Sequence, residues 1–154
     1  MNKQTKKLTL SLDLEYSLFG IQTRAPSYKL VYFLNKGINI ELKRDNDIHI
    51  IENNQTIYLS RYTYYDSCHE QEWALVNNES KVQSIDDADL SIFNKDSYYL
   101  SYLIPEYKMF NYILKIDGDF CNKEEILKMN NIKIINIASY INKSLIKNTE
   151  KLIF

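Results

Sequence analysis

The chain has 154 residues, 45% of them hydrophobic and 25% charged, with 19 basic against 20 acidic side chains and a formal net charge of -1. That is the size and balance of one globular domain able to bury its own core, which excludes disordered, collagen-like and disulfide-scaffold chains. The even charge supplies no bulk attraction to DNA or to an anionic membrane, and no apolar run reaches the ~18 residues a spanning helix needs.

Residues 1–7 are basic and are expected to form a disordered N-terminus. Next, Leu8, Leu10, Leu12, Leu14, Tyr16 and Leu18 alternate with polar residues, so no continuous apolar export segment follows and a cytoplasmic chain is expected. The alternation itself predicts a half-buried strand over 8–19, ended by Gly20. Thr23 is placed to cap a helix over 23–36, with Pro26 in its first turn, an apolar stripe of Leu30, Val31, Phe33 and Leu34, and Gly37 as its left-handed stop.

Ile38, Ile40 and Leu42, then Ile48, Ile50 and Ile51, flank a polar turn at 44–47 and predict a hairpin. Residues 56–65 and 72–76 predict a second, joined by the polar stretch 66–71. The acid-rich segment 77–97, with Asp86, Asp87 and Asp89, reads as a long surface loop. A strand over 109–117 presents Phe110, Tyr112, Leu114 and Ile116 on one face. Asn122 and Glu125 resemble a capping box for a short helix to Met129, Ile132 to Ile135 suggest a last strand, and a helical turn near Leu145 precedes the extended ending. The sum is a single α+β domain, residues 1–154: a mainly antiparallel sheet of about six strands, one long and one or two short helices on its apolar face, with ferredoxin-like elaboration as one option.

The stretch from Ile104-Pro105-Glu106 through Phe110, Asn111 and Tyr112 to Ile116 resembles the signature of the IPExxxVDY family, small uncharacterised proteins of the Bacteroidetes. Phe19-Gly20-Ile21, residues 28–36, Leu42-Lys43-Arg44 and Leu152-Ile153-Phe154 are also similar to the family pattern. Phe110 replaces the Val of the signature and Asn111 its Asp. An amide cannot serve as a general base, so Asn111 carries no such role here. The resemblance implies fold and provenance and transfers no activity.

Three glycines, Gly20, Gly37 and Gly118, make no phosphate-cradling motif, and no cofactor is expected. Glu106, held after Pro105, is a weak catalytic candidate; its favoured reading is an ion pair, with Arg44 as the guessed partner, or a bond to a backbone amide. Asp117-Gly118-Asp119 reads as a turn rather than a metal site, and no metal is expected. Cys68 and His69 are neighbours whose side chains diverge, so a nucleophile–base pair with either His69 or His49 is disfavoured; Cys68 and Cys121 make no zinc spacing and fit a reducing compartment.

Tyr58, Tyr62 and Tyr64 share one strand face, with Tyr98, Tyr99 and Tyr102 later in the chain. With Arg44 and Glu106 they form the expected binding residues. The leading expectation is a non-enzymatic, cytoplasmic adaptor or regulatory domain that binds another protein. The alternatives are single-stranded RNA binding on the tyrosine face and an unrecognised enzyme using Glu106.

Overall fold

The computed structural model describes residues 15–84, 98–117 and 123–154. A mainly antiparallel α+β fold is observed. The strands are β1 (Tyr16–Gln22), β2 (Lys43–Glu52), β3 (Gln55–Asp66), β4 (Gln71–Asn77), β5 (Glu79–Gln83), β6 (Tyr98–Tyr102), β7 (Tyr112–Asp117) and β8 (Ile137–Tyr140), with helices α1 (Ser27–Ile38) and α2 (Lys123–Asn130). Six strands form one sheet in the order β2-β3-β4-β7-β1-β8, every neighbour antiparallel; β5 and β6 form a separate pair.

Both faces of the sheet are covered over β4, β7 and β1, where the sequence suggested one apolar face. On the helix side, Phe19, Ile21, Trp73, Leu75, Leu114 and Ile116 pack with Leu30, Leu34, Met129 and Ile132. On the opposite side, Leu18, Leu59, Val76 and Ile113 pack with Leu103, Ile104, Phe110, Ile141, Ile146 and Leu152. A strand between two covered faces is apolar throughout rather than alternating. β7 accordingly buries Ile113 and even Lys115, not only the alternate set expected. The Lys115 ammonium lies 3.2 Å from Asp117 Oδ1 and 5.3 Å from the ring centroids of Tyr16 and Phe154, so its charge is compensated locally.

β1 does not stop at Gly20. Residues 8–14 of the expected strand, and the N-terminal 1–7, lie outside the described residues, and Gly20 sits inside the strand. A Cβ at Gly20 would overlap the Phe110 ring, so the glycine serves close approach rather than a turn. α1 likewise differs at both ends. Its first carbonyl is that of Pro26, which accepts the Lys29 and Leu30 amides, while Thr23 directs its hydroxyl to Ile134 O and accepts the Ala25 amide. Gly37 lies within the helix, where a Cβ would come within 2.7 Å of Ile132 Cδ1. The left-handed stop falls on Asn39, at φ 56°. The apolar stripe closes as expected on Leu30, Val31 and Leu34, with Ile38 one turn on.

The expected turn at 44–47 is instead an irregularity inside β2, between Asp45 and Ile48. The chain reverses at Asn53-Asn54, both at positive φ, joining β2 to β3 with Glu52 opposite Gln55. Asparagine tolerates that conformation, and two such residues in sequence match the twist of a hairpin. The β3–β4 hairpin agrees with the sequence reading. Part of the expected loop at 77–97 is strand β5, and its acidic residues 86, 87 and 89 lie outside the described residues. The last strand is β8, paired with β1, and not 132–135; Ile132 and Ile135 turn into the helix-side core. Two short 3-10 turns, Lys143–Leu145 and Thr149–Leu152, carry the tail across the second face.

Asn78 fastens that face. It is fully buried, and its amide donates to Asn111 O (2.8 Å) while its carbonyl accepts Leu103 N (2.8 Å). Its side-chain oxygen accepts Ile104 N (2.8 Å), and Nδ2 donates to Tyr107 O (3.1 Å) and Phe110 O (2.9 Å). Replacing Asn78 with Ala leaves the Ile104 amide and the Phe110 carbonyl unmatched in a largely buried setting, at about 1–3 kcal/mol each, while the Tyr107 carbonyl keeps the Phe110 amide. Urea unfolding of Asn78→Ala is therefore expected to show a loss of at least about 2 kcal/mol; a loss below about 1 kcal/mol would refute this role.

Candidate binding surface at the edge of the sheet

The tyrosines expected as a platform do not form one. Tyr62 is buried on the helix side, its hydroxyl 3.1 Å from Ser27 Oγ, and Tyr64 is partly buried against the same cluster. Tyr58 is 65% exposed near the other end of β3, beside His49 with ring centroids 6.4 Å apart. Tyr98, Tyr99 and Tyr102 belong to the separate β5–β6 pair, where Tyr99 OH bonds Gln55 Oε1.

Arg44 and Glu106 are not partners. The Arg44 guanidinium lies 5.4 Å from the Tyr62 ring centroid and bonds Asp47 and the Arg61 carbonyl. Arg61 in turn pairs with Asp45 at 2.9 Å. Glu106 is exposed in a 3-10 turn, Pro105–Tyr107, and its Oε1 accepts the Lys147 amide at 3.1 Å. Its own amide and that of Lys147 hold its carboxyl below the usual value, with Lys147 and Lys151 adding to the effect. Glu106 therefore ties the C-terminal tail to the segment before β7, and it lines none of the described grooves.

At the β1–α1 end of the sheet, Asn111 accepts the Thr23 amide and donates to Glu79, both within hydrogen-bond reach at 3.0 and 2.8 Å. The position is structural. Beside it an open groove of about 860 Å³ is lined by Arg24, Glu79, Lys81, Asn111, Tyr112 and Asn136, among others. The Tyr112 hydroxyl donates to Ala25 O, and burial, with smaller effects from Glu79 and Tyr62, pushes its pKa up to about 12. In the β3–β4 turn, Asp66 bonds the Cys68 amide and His69 Nδ1, so His69 is committed to Asp66 on an exposed turn. Cys68 is exposed and unbridged; Cys121, Gly118 and Asp119 lie outside the described residues. Among the described residues no three His, Cys, Asp or Glu side chains gather to hold a metal ion.

The surface with a definite recognition chemistry is the outer edge of β2. The strand is ten residues long and ends the sheet, so one row of its backbone groups has no partner strand among the described residues. Its first half carries devices that discourage pairing: Lys43, Arg44, Asp45, Asp47 and the irregularity before Ile48. Its second half, Ile48-His49-Ile50-Ile51, has neither a strong charge nor a bulge. Because a two-residue turn makes Glu52 and Gln55 a hydrogen-bonded pair, the alternation turns the N–H and C=O of His49 and Ile51 outward. Ile51 is 76% exposed on the same side as Tyr58. On the other side Ile48, Ile50, Leu103 and Ile153 line a shallow groove of about 250 Å³.

The sequence reading singled out Tyr58 and Arg44 from this region but missed the edge, because it placed a turn inside β2. The Asn53-Asn54 pair was the available signal. Asn78 gave none.

No protein-family model matches the chain, and no curated protein matches it.

Two titrations test the site's electrostatics. Glu106 has a lowered folded pKa, so the stability it contributes is present above its ordinary value and lost as pH falls through the folded one. Glu106→Gln is expected to flatten the acid limb of stability against pH. Tyr112 has a raised folded pKa, so its contribution is present below 10.0 and lost as pH rises towards about 12. Tyr112→Phe should show a shallower loss over that interval in chemical denaturation, and an unchanged slope would contradict the assigned environment.

Proposed function

We propose that this chain is a non-enzymatic, cytoplasmic protein-binding domain, adaptor or regulatory in role, that takes an extended segment of its partner along the outer edge of β2. The observation that carries the reading is the run 48–51: strand backbone whose outward donors and acceptors meet no strand among the described residues, flanked by exposed Ile51 and Tyr58 and lacking the protection its own first half possesses. Main-chain hydrogen bonds would supply affinity, and alternate side chains would enter the flanking apolar surface. The exposed, unbridged Cys68 is compatible with a reducing compartment, and no helix among the described residues is long and apolar enough to cross a membrane.

RNA binding has less support on this surface. The arginines nearest the tyrosines are engaged by Asp45 and Asp47, which removes the free positive rim that RNA requires. We also assign the chain to the IPExxxVDY family and to a ferredoxin-like wiring. The family reading rests on the resembling residues 104–116, from which Phe110 and Asn111 depart. The wiring is supported by the order β4-β7-β1-β8 with a helix after β1 and another after β7; β2–β3 and β5–β6 are then additions.

The test compares tagged wild-type chain with Ile51→Pro after nuclease treatment of native cytosol. Proline at an outward-facing edge position removes an unpaired N–H and no internal bond, so the fold is expected to persist. Stoichiometric partners that survive nuclease and are recovered at least tenfold less by the variant support edge docking. Partners lost with nuclease indicate RNA, and equal recovery by the two chains excludes the β2 edge.

A further inference from the structure

We propose that the occupant of the β2 edge is a second copy of this chain, pairing antiparallel about a two-fold axis through Ile50. The inference rests on the reading of β2 as the docking edge and names the partner.

The regular run Ile48 to Glu52 stays in register with Leu59 to Gln55, and within it the outward-facing residues are His49 and Ile51. A two-fold through Ile50 sets His49 opposite the partner's Ile51 and Ile51 opposite the partner's His49. Outward groups then meet outward groups, giving two hydrogen-bonded residue pairs with four backbone bonds, and Ile50 faces its own counterpart between them. Centring the axis one residue earlier brings Asp47 and the irregularity into the pairing. Centring it one residue later brings in the Asn53-Asn54 turn. Only the Ile50 axis uses all of the outward groups and nothing else.

The side chains agree with that register. Ile51, now 76% exposed, would lie beside the partner's His49 and Tyr58, and the same contact would be repeated on the other side of the axis. Glu52 would stand opposite the partner's Ile48, and Asp47 opposite the partner's Asn53, so no like charges meet. The charged half of β2 lies beyond the partner's turn. A five-residue run buries much less than the ~1,200 Å² at the lower end of standard interfaces, so the dimer dissociates on dilution.

Sedimentation velocity over a rising concentration series tests this with wild-type chain, His49→Pro, Ile51→Pro and Ile51→Lys, with circular dichroism melts recorded alongside. Wild type is expected to shift towards twice the monomer mass with concentration, while every folded variant stays monomeric. Ile51→Lys changes only an exposed side chain and decides the matter should either proline variant unfold. A wild-type chain that stays monomeric throughout, or variants that dimerise as wild type does, would overturn the proposal. If wild type is monomeric while cytosolic partners still depend on Ile51, the self-pairing fails and the edge-docking reading stands; loss of both removes the edge altogether.

Discussion

The buried amide of Asn78 is the constraint on which the second face of the sheet depends. One residue just after β4 satisfies backbone groups of Leu103, Ile104, Tyr107, Phe110 and Asn111. The segment so fixed supplies Leu103, Ile104 and Phe110 to the core, and Phe110 lies against Gly20 in β1, between β7 and β8. A buried polar network with every member matched holds one arrangement, because each alternative leaves a donor or acceptor dry. The tail follows from the same arrangement: Glu106 and Tyr107, in the clamped segment, bond Lys147 N and Asn142 O.

Asn78 is one case of a wider use of asparagine. Asn35 bonds both the amide and the carbonyl of Leu42, Asn130 does the same for Ala138, and Asn111 joins Thr23 to Glu79. A carboxamide carries the donor and acceptor of a peptide group, so it can pair with a strand backbone where no strand is available. Other asparagines, at 39, 53 and 54, take the left-handed conformation. In a chain with three glycines, of which Gly20 and Gly37 serve close packing, asparagine supplies the stop of α1 and the β2–β3 reversal, and Glu70 takes the same conformation before β4. The abundance of asparagine reads as coding bias in the sequence, yet at these positions it is structural.

Charge is arranged to leave the edge of β2 uneven. Arg61 and Arg44 are drawn to Asp45 and Asp47 around the irregularity, and the Asn46 amide, followed by Arg61 and Thr63, holds the Asp45 carboxyl below its usual value. That end of the strand is occupied with itself. The other end is left as bare backbone beside Ile51 and Tyr58, and the contrast within one strand locates the surface available to another chain.

The sequence by itself determined the α+β class, the antiparallel character, the β3–β4 hairpin and the buried stripe of α1, because these rest on periodicities of two and 3.6 residues within short windows. It also excluded Asn111 as a base, through side-chain chemistry alone. Tertiary structure decided what depends on partners distant in the chain: that Gly20 and Gly37 serve packing, that Tyr62 is buried while Tyr58 is not, that Glu106 meets Lys147 rather than Arg44, and that β1 and β7 are covered on both faces. Asn78 shows the reason most plainly. Its partners begin 25 residues later, at Leu103, and no local pattern marks an asparagine whose hydrogen bonds are supplied by a segment that folding alone brings to it.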